Sequence, residues 1–307
     1  MRLVFFGSTD FSIPTLAAVA KLHDVVLAVT TPPKPAGRGL ALAENPVIDA
    51  CEDLGIECIS PASLRKRPFL GIVTALSPDA FVLAAYGKII PPEVLGITQW
   101  PVCLHPSLLP KLRGPSPIRT ALMSGEAATG ISTLVMVKEV DAGPIILQEE
   151  CVIDDGDNYE TLHARLAGEG ALLVTLTLER IAEDDVELRP QDETAATFTK
   201  IIERDDTRID FSKPARAVRS LIRACDPDLG AFATFRGKRL KIYRASHSTR
   251  PSAAPPGAIT YVGKASFDVA CGEGAIEVHE VQPQDRAPMP AQAFIAGHRP
   301  EVGETLS

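Results

Sequence analysis

The chain has 307 residues, with 39 acidic against 31 basic side chains and a formal net charge of −8. That length suits about two domains, and an apolar share of 45% with 23% charged residues excludes a disordered chain. No apolar run approaches the roughly 18 residues of a membrane helix and the start does not read as a signal peptide, so a cytoplasmic protein is expected.

Leu3–Phe6 is a continuous apolar run closed by Gly7, the pattern of a buried strand. A helix follows, with Pro14 near its start and Leu16, Val19 and Ala20 at helical spacing. Val25–Val29 is the next strand. Asn45-Pro46 reads as an N-cap with Pro at the first helical position, and Gly55 closes that helix. Strands at Ile56–Ile59, Ala80–Ala84 and Val102–His105 alternate with helices near 68–76 and 115–123. This rhythm predicts a Rossmann-like α/β domain with an open, mostly parallel sheet. Ile131–Val137 and Ile145–Val152 read as two later strands around an Asp-Ala-Gly-Pro turn, and Tyr159–Ala182 as a long helix.

Beyond about Glu203 the pattern changes. A helix at Ala215–Ala224 precedes five short runs: Ala231–Phe235, Arg239–Tyr243, Ala258–Val262, Phe267–Ala270 and Ile276–Val281. Gly turns separate them, which predicts a small OB-like β-barrel and a division into 1–203 and 207–307. Charge divides at the same place. Residues 1–206 carry 17 basic and 29 acidic side chains, a net of −12, while 207–307 carry 14 and 10, a net of +4. Within 207–250 the count is 11 against 3, a net of +8. The overall charge argues against a polyanionic partner; the second half permits one.

The turn after the first strand reads Gly7-Ser8-Thr9-Asp10 rather than GxGxxG, and no Walker loop, GxSxG or HExxH occurs. Six cysteines lie scattered without metal spacing and read as reduced thiols. What remains is His105 at a strand end, where open α/β sheets hold ligands, and Asp141 in Val140-Asp141-Ala142-Gly143-Pro144. Brought together they can move a proton; apart, they are a loop-bonding His and an Asx turn. Spacing leaves both open. His163, His247, His279 and His298 read as structural or solvated, and Lys34–Arg38 as a Gly-flanked surface loop.

Several longer stretches carry a resemblance. They are Phe6-Gly7-Ser8-Thr9-Asp10-Phe11, Pro35-Ala36-Gly37-Arg38-Gly39 and Ala85-Tyr86-Gly87-Lys88-Ile89-Ile90-Pro91. Next come His105-Pro106-Ser107-Leu108-Leu109-Pro110 with Arg113-Gly114, and Val140–Pro144. In the second half they are Leu221–Ala224, Phe235-Arg236-Gly237, and Val281-Gln282-Pro283 with Gly297–Pro300. Nearly end to end, the chain resembles the methionyl-tRNA formyltransferase family. The His-x-Ser-Leu-Leu-Pro and Asp-x-Gly pair is shared with formyltransferases that use 10-formyltetrahydrofolate; the Ala-Gly-Arg-Gly loop and the barrel narrow it to the tRNA enzymes.

The resemblance implies formyl transfer from 10-formyltetrahydrofolate to the methionine amino group of initiator methionyl-tRNA, in translation initiation, by a monomer that needs no metal. His105 and Asp141 fall on the family's catalytic positions. Ser107, Leu108, Leu109 and Pro110, the stretch Ala85, Tyr86, Gly87, Lys88 and Ile89, and Ala142 and Gly143 beside Asp141 fall on folate-contacting ones. Phe11 and Arg38 are expected to face the substrate, and Lys238, Arg239 and Lys241 to grip tRNA phosphates.

Three departures matter. Where the family has Asn two residues before the His, this chain has Cys103, and a thiol is a weaker donor to an oxyanion than an amide. The enzyme is then slower, or another donor substitutes, or the chain is a non-catalytic folate- or tRNA-binding relative. Pro106 also stands where Gly is usual, and Leu40–Glu44 lacks the family's lysines. A second alternative is a formyltransferase acting on a small amine such as an amino sugar; the basic 207–250 segment argues against it.

Overall fold

The computed structural model describes all residues except 34, 37–40 and 43–44, and the backbone alone at 35–36 and 41–42. The chain divides into two compact units. One comprises Met1–Pro117, Ala128–Val152 and His163–Thr199; the other comprises Ile118–Ala127, Ile153–Leu162 and Lys200–Ser307. The second unit is therefore discontinuous in sequence, whereas the pattern of residues suggests one boundary near 203–207.

The first part of the chain runs β1 (Arg2–Gly7), α1 (Ser12–Leu22), β2 (Asp24–Val29), the antiparallel two-residue strands β3 (Pro35–Ala36) and β4 (Ala41–Leu42), α2 (Pro46–Leu54) and β5 (Cys58–Ile59). It continues through α3 (Arg67–Leu76), β6 (Ala80–Ala84), α4 (Pro92–Leu95), β7 (Trp100–His105), α5 (Pro117–Ser124), β8 (Ala128–Val135), β9 (Ile145–Val152) and α6 (Tyr159–Ala182). The sheet order is β5-β2-β1-β6-β7-β8-β9. The first five strands are parallel, and β8 and β9 are antiparallel additions. The apolar run of β1 is central because both its faces are covered. Phe6 meets Phe81 and Tyr86 edge-on at centroid distances of 5.4 and 5.5 Å. Asn45 caps α2 as its sequence suggests, accepting from the Val47 N–H at 3.1 Å.

This topology brings the carboxyl ends of β1, β6 and β7 side by side, where open sheets hold ligands. The connection from β8 to β9 behaves differently. Val135 pairs with Val102, and the Met136 N–H donates to Pro101 O at 2.7 Å, so residues 136–144 leave the sheet beside the start of β7.

The remaining elements are α7 (Ala215–Cys225), β10 (Ala231–Phe235), β11 (Lys238–His247), β12 (Ile259–Val262), β13 (Phe267–Ala270), β14 (Ala275–Pro283), β15 (Met289–Pro290) and α8 (Ala291–His298). The strands form an antiparallel sheet in the order β10-β11-β14-β13-β12, with β15 on β14. The turn from β10 to β11 places Arg236 and Gly237 at φ 48° and 72°, the mirror-image turn that matches strand twist. The chain end joins the two edge strands. Leu306 bridges Phe235 at the end of β10, Thr305 bridges Ala258 ahead of β12, and Ser307 exchanges backbone bonds with Thr234 at 2.6 and 3.0 Å. Helix α8, which periodicity does not reveal, seats Phe294 against Phe235 and Phe267 in that unit's core.

Candidate active site

Strand alternation puts Cys103 and His105 on the same face of β7. His105 is buried. Its Nε2 lies 3.0 Å from Leu112 O, which can only accept, so Nε2 carries the proton. Its Nδ1 lies 3.5 Å from Asp141 Oδ2. The same carboxylate oxygen accepts the Gly114 N–H at 2.8 Å. The two residues that the sequence leaves unjoined therefore meet, because the 136–144 connection runs back toward the end of β7. Asp141 adopts φ 54°, a left-handed conformation that Asp tolerates better than most residues. Gly143 is obligatory for packing, since a Cβ there would lie 1.8 Å from Val135 O.

The loop after His105 is held from β8 and β9. Ser132 Oγ donates to Ser107 O at 2.6 Å and accepts from Leu109 N at 3.2 Å. Gln148 Nε2 donates to Leu109 O at 2.8 Å. Ser107 and Leu109 are buried, while Leu108 and Pro110 are partly exposed. Among the residues after β6, Gly87 at φ 76° and Ile89 are exposed, and Lys88 Nζ donates to Pro61 O at 3.2 Å. Tyr86 turns its ring into the core; its hydroxyl has no partner among the described residues and its pKa is pushed up to about 12 by burial. Phe11 is buried against His163, ring centroids 5.2 Å apart. Arg38 lies outside the described residues.

Cys103 sits among Leu109, Leu134 and Ile145, with Leu83 and Met136 beside them. Burial pushes its thiol well above the usual range, and the Asp141 charge adds to that. The protonated thiol donates weakly to Leu104 O at 3.6 Å.

Sequence inspection misses a second layer. Arg113, 3% exposed, donates from Nε and Nη2 to Gln191 Oε1 at 3.1 and 2.9 Å. It also makes a fork with the Glu193 carboxylate at 2.9 and 2.7 Å. Gln191 Nε2 donates to Asp141 O at 2.8 Å and Gly143 O at 2.7 Å. The strap 197–199 pairs its backbone with 110–113, and Thr199 Oγ1 accepts from Ser116 N at 3.1 Å. Only Arg113 had a visible signal, as part of Arg113-Gly114; Gln191 stands in a polar stretch far along the chain from Asp141.

In the second unit the basic excess of 207–250 is partly spent on local partners. Arg219 pairs with Asp155 at 2.5 Å, Arg236 with Glu304 at 2.6 Å, Arg244 with Glu280 at 3.3 Å and Arg250 with Asp268 at 3.0 Å. Lys241 Nζ donates to Leu229 O at 2.6 Å. Among the described residues Arg208, Lys213, Arg216, Lys238 and Arg239 make no ion pair. On β11, Arg239 and Lys241 share one face, and Lys238 starts the strand on the other, at the turn.

The chain matches the formyl transferase family over residues 1–177 and the formyl transferase C-terminal domain over 201–299. It is 38% identical over 308 residues to the methionyl-tRNA formyltransferase of Moorella thermoacetica, covering 100% of this chain and 99% of that one. To the methionyl-tRNA formyltransferase of Paracoccus denitrificans it is 38% identical over 299 residues, 97% of each chain. Among solved structures it is similar to an N-formyltransferase from Helicobacter canadensis in complex with folinic acid and dTDP-3-aminofucose. That match has a TM-score of 0.68 at 16% identity and covers 92% of this chain and 98% of the other. HypX from Aquifex aeolicus in complex with tetrahydrofolic acid matches with a TM-score of 0.63 at 18% identity, over 99% of this chain and 48% of that one. At these identities the two structures speak for the fold alone. Among the described residues no helix is long and apolar enough to cross a membrane.

Proposed function

The chain belongs to the methionyl-tRNA formyltransferase family, and from that premise we propose that it transfers the formyl group of 10-formyltetrahydrofolate to the methionine amino group of initiator methionyl-tRNA. The observation that carries the proposal is the His105–Asp141 pair, assembled from two distant segments and anchored by Leu112 and Gly114. A non-catalytic relative would have no need to keep both members in register.

The uncharged amine attacks the formyl carbon, so a C–N bond forms, the carbonyl oxygen becomes an oxyanion and the nitrogen becomes positive. His105, with Nε2 committed to Leu112, has Nδ1 as the nitrogen able to meet a reacting group. Protonated there, the ring stabilises the oxyanion. The Asp141 carboxylate takes the ammonium proton directly or through a water. The oxyanion then re-forms the carbonyl as the bond between the formyl carbon and the folate nitrogen breaks, and that nitrogen leaves with the proton Asp141 has taken up. The 3.5 Å separation is long for a hydrogen bond and leaves the pair room to tighten around substrate.

For the folate we assign the loops Ala85–Ile89 and Ser107–Pro110 with Ala142 and Gly143. Both loops end parallel strands, and Gly87, Ile89 and Leu108 offer main-chain groups and apolar surface to a flat ring. Tyr86 serves through its backbone, because its ring is core. Phosphate contacts go to the second unit, through Lys238 and Arg239 first and Lys241 less, since its ammonium is already bonded. We take the protein as a cytoplasmic monomer with its catalytic part before residue 203 and its tRNA-binding part after 207. The test is labelled formyl transfer from 10-formyltetrahydrofolate to methionyl-tRNA and, in parallel, to a nucleotide-linked amino sugar. Transfer to tRNA alone is expected; transfer to the sugar alone would overturn the assignment.

A further inference from the structure

The tripeptide Leu112–Arg113–Gly114 touches both members of the reacting pair. Its first carbonyl accepts from His105 Nε2, and its last N–H donates to Asp141 Oδ2. The side chain between them reaches the same pair from behind. Arg113 holds Gln191 through two donors, and Gln191 clasps the Asp141 turn by donating to the carbonyls of residues 141 and 143. A closed ring results: Asp141 carboxylate, Gly114 N–H, Arg113 guanidinium, Gln191 amide and Asp141 carbonyl.

The chemistry of each link gives the ring a direction. Arg113 is buried with its charge matched by Glu193, so its planar fork is fixed. That fixes which end of the Gln191 amide points where: the oxygen must face the guanidinium, so the NH2 faces the two carbonyls. The Asp141 turn needs such a clasp. Its backbone is in the left-handed region at Asp141, and Gly143 packs against Val135 O too closely for any side chain. We infer that Gln191, oriented by Arg113, is a positioning residue that sets the Asp141 carboxylate against His105, an assignment that rests on the proposed formyl transfer.

Two substitutions separate this role from simple satisfaction of a buried arginine. Gln191→Glu keeps the acceptor for Arg113 and removes the donor to the turn. Gln191→Met removes both and adds no charge. Both variants are expected to lose about 10- to 100-fold in kcat, the cost of misplacing a reacting group by about 1 Å, with KM for methionyl-tRNA changed less than about twofold. If Gln191 only satisfied Arg113, Gln191→Glu would keep wild-type kcat and only Gln191→Met would lose. A Gln191→Glu enzyme within about twofold of wild type overturns the inference. Amide exchange at Gly114 supplies a readout that needs no turnover, since that N–H is protected by the Asp141 carboxylate. It is expected to exchange faster in both variants, by more than their loss of global stability, read from Tm, accounts for. Faster exchange with no formyl transfer even in wild type would sink the proposed reaction and leave the positioning role standing; unchanged exchange with active wild type would do the reverse.

Discussion

Asp141 meets His105 through a single oxygen: Oδ2 stands 3.5 Å from the ring Nδ1 and at the same time accepts the Gly114 N–H at 2.8 Å. One oxygen is thus fixed by a backbone donor in the direction from which it faces the imidazole. The arrangement depends on an antiparallel strand, β8, that delivers the 136–144 connection to the wrong end of β7 and so forces it back along the sheet.

Cys103→Asn restores an amide on the face of β7 that carries His105. Turnover is expected to rise, toward the factor of about 10²–10³ that one oxyanion donor is worth. Stability is expected to fall by about 1–3 kcal/mol, because the neighbours Leu109, Leu134 and Ile145 offer an amide no partner. Single-turnover rates and thermal melts of the two proteins measure both. An unchanged rate shows that another group supplies the donor.

The thiols should separate by reactivity. Cys58 is half-buried and held below the ordinary range by a hydrogen bond from Cys51, so it forms thiolate at lower pH than a free cysteine. Burial pushes Cys103 the opposite way. Iodoacetamide followed by mass spectrometry from pH 6 to pH 9 is expected to label Cys58 first and leave Cys103 unmodified in native protein. Early labelling of Cys103 would contradict its sealed, protonated state.

Basic residues should contribute to tRNA binding according to their partners rather than their number. Arg239→Ala and Lys238→Ala are each expected to weaken binding and to reduce the salt slope by about 0.9 per lost phosphate contact. Arg236→Ala removes a guanidinium already paired with Glu304 and should leave the slope unchanged. Titrations at several salt concentrations distinguish the three; equal effects would show that the pairing is irrelevant.

Much of the frame was legible because its signals are local. The β6 run Ala80–Ala84, the β9 run Ile145–Val152 and the helix Tyr159–Ala182 have the bounds that apolar periodicity gives them. Asn45 and Gly55 mark the ends of α2 by their own backbone chemistry. Helix α8 escaped because its apolar residues serve a core assembled from distant strands. His105 and Asp141 stood out as a His and an Asp beside turns, but their meeting depends on strand direction, which residue types do not encode. Gln191 was invisible for the same reason: a glutamine in a polar stretch acquires its role only when Arg113 is folded beside it. The +8 of residues 207–250 does not show which of its charges are paired, since Glu304, Glu280 and Asp268 lie outside that window.

The most direct test of the central claim is the single-turnover rate of formyl transfer to methionyl-tRNA by wild type, His105→Asn and Asp141→Asn. Each variant is expected to lose about 10²–10⁴-fold, the range for a positioned acid–base group, with tRNA affinity and Tm unchanged. An Asp141→Asn enzyme within about threefold of wild type would show that the pair does not move the proton.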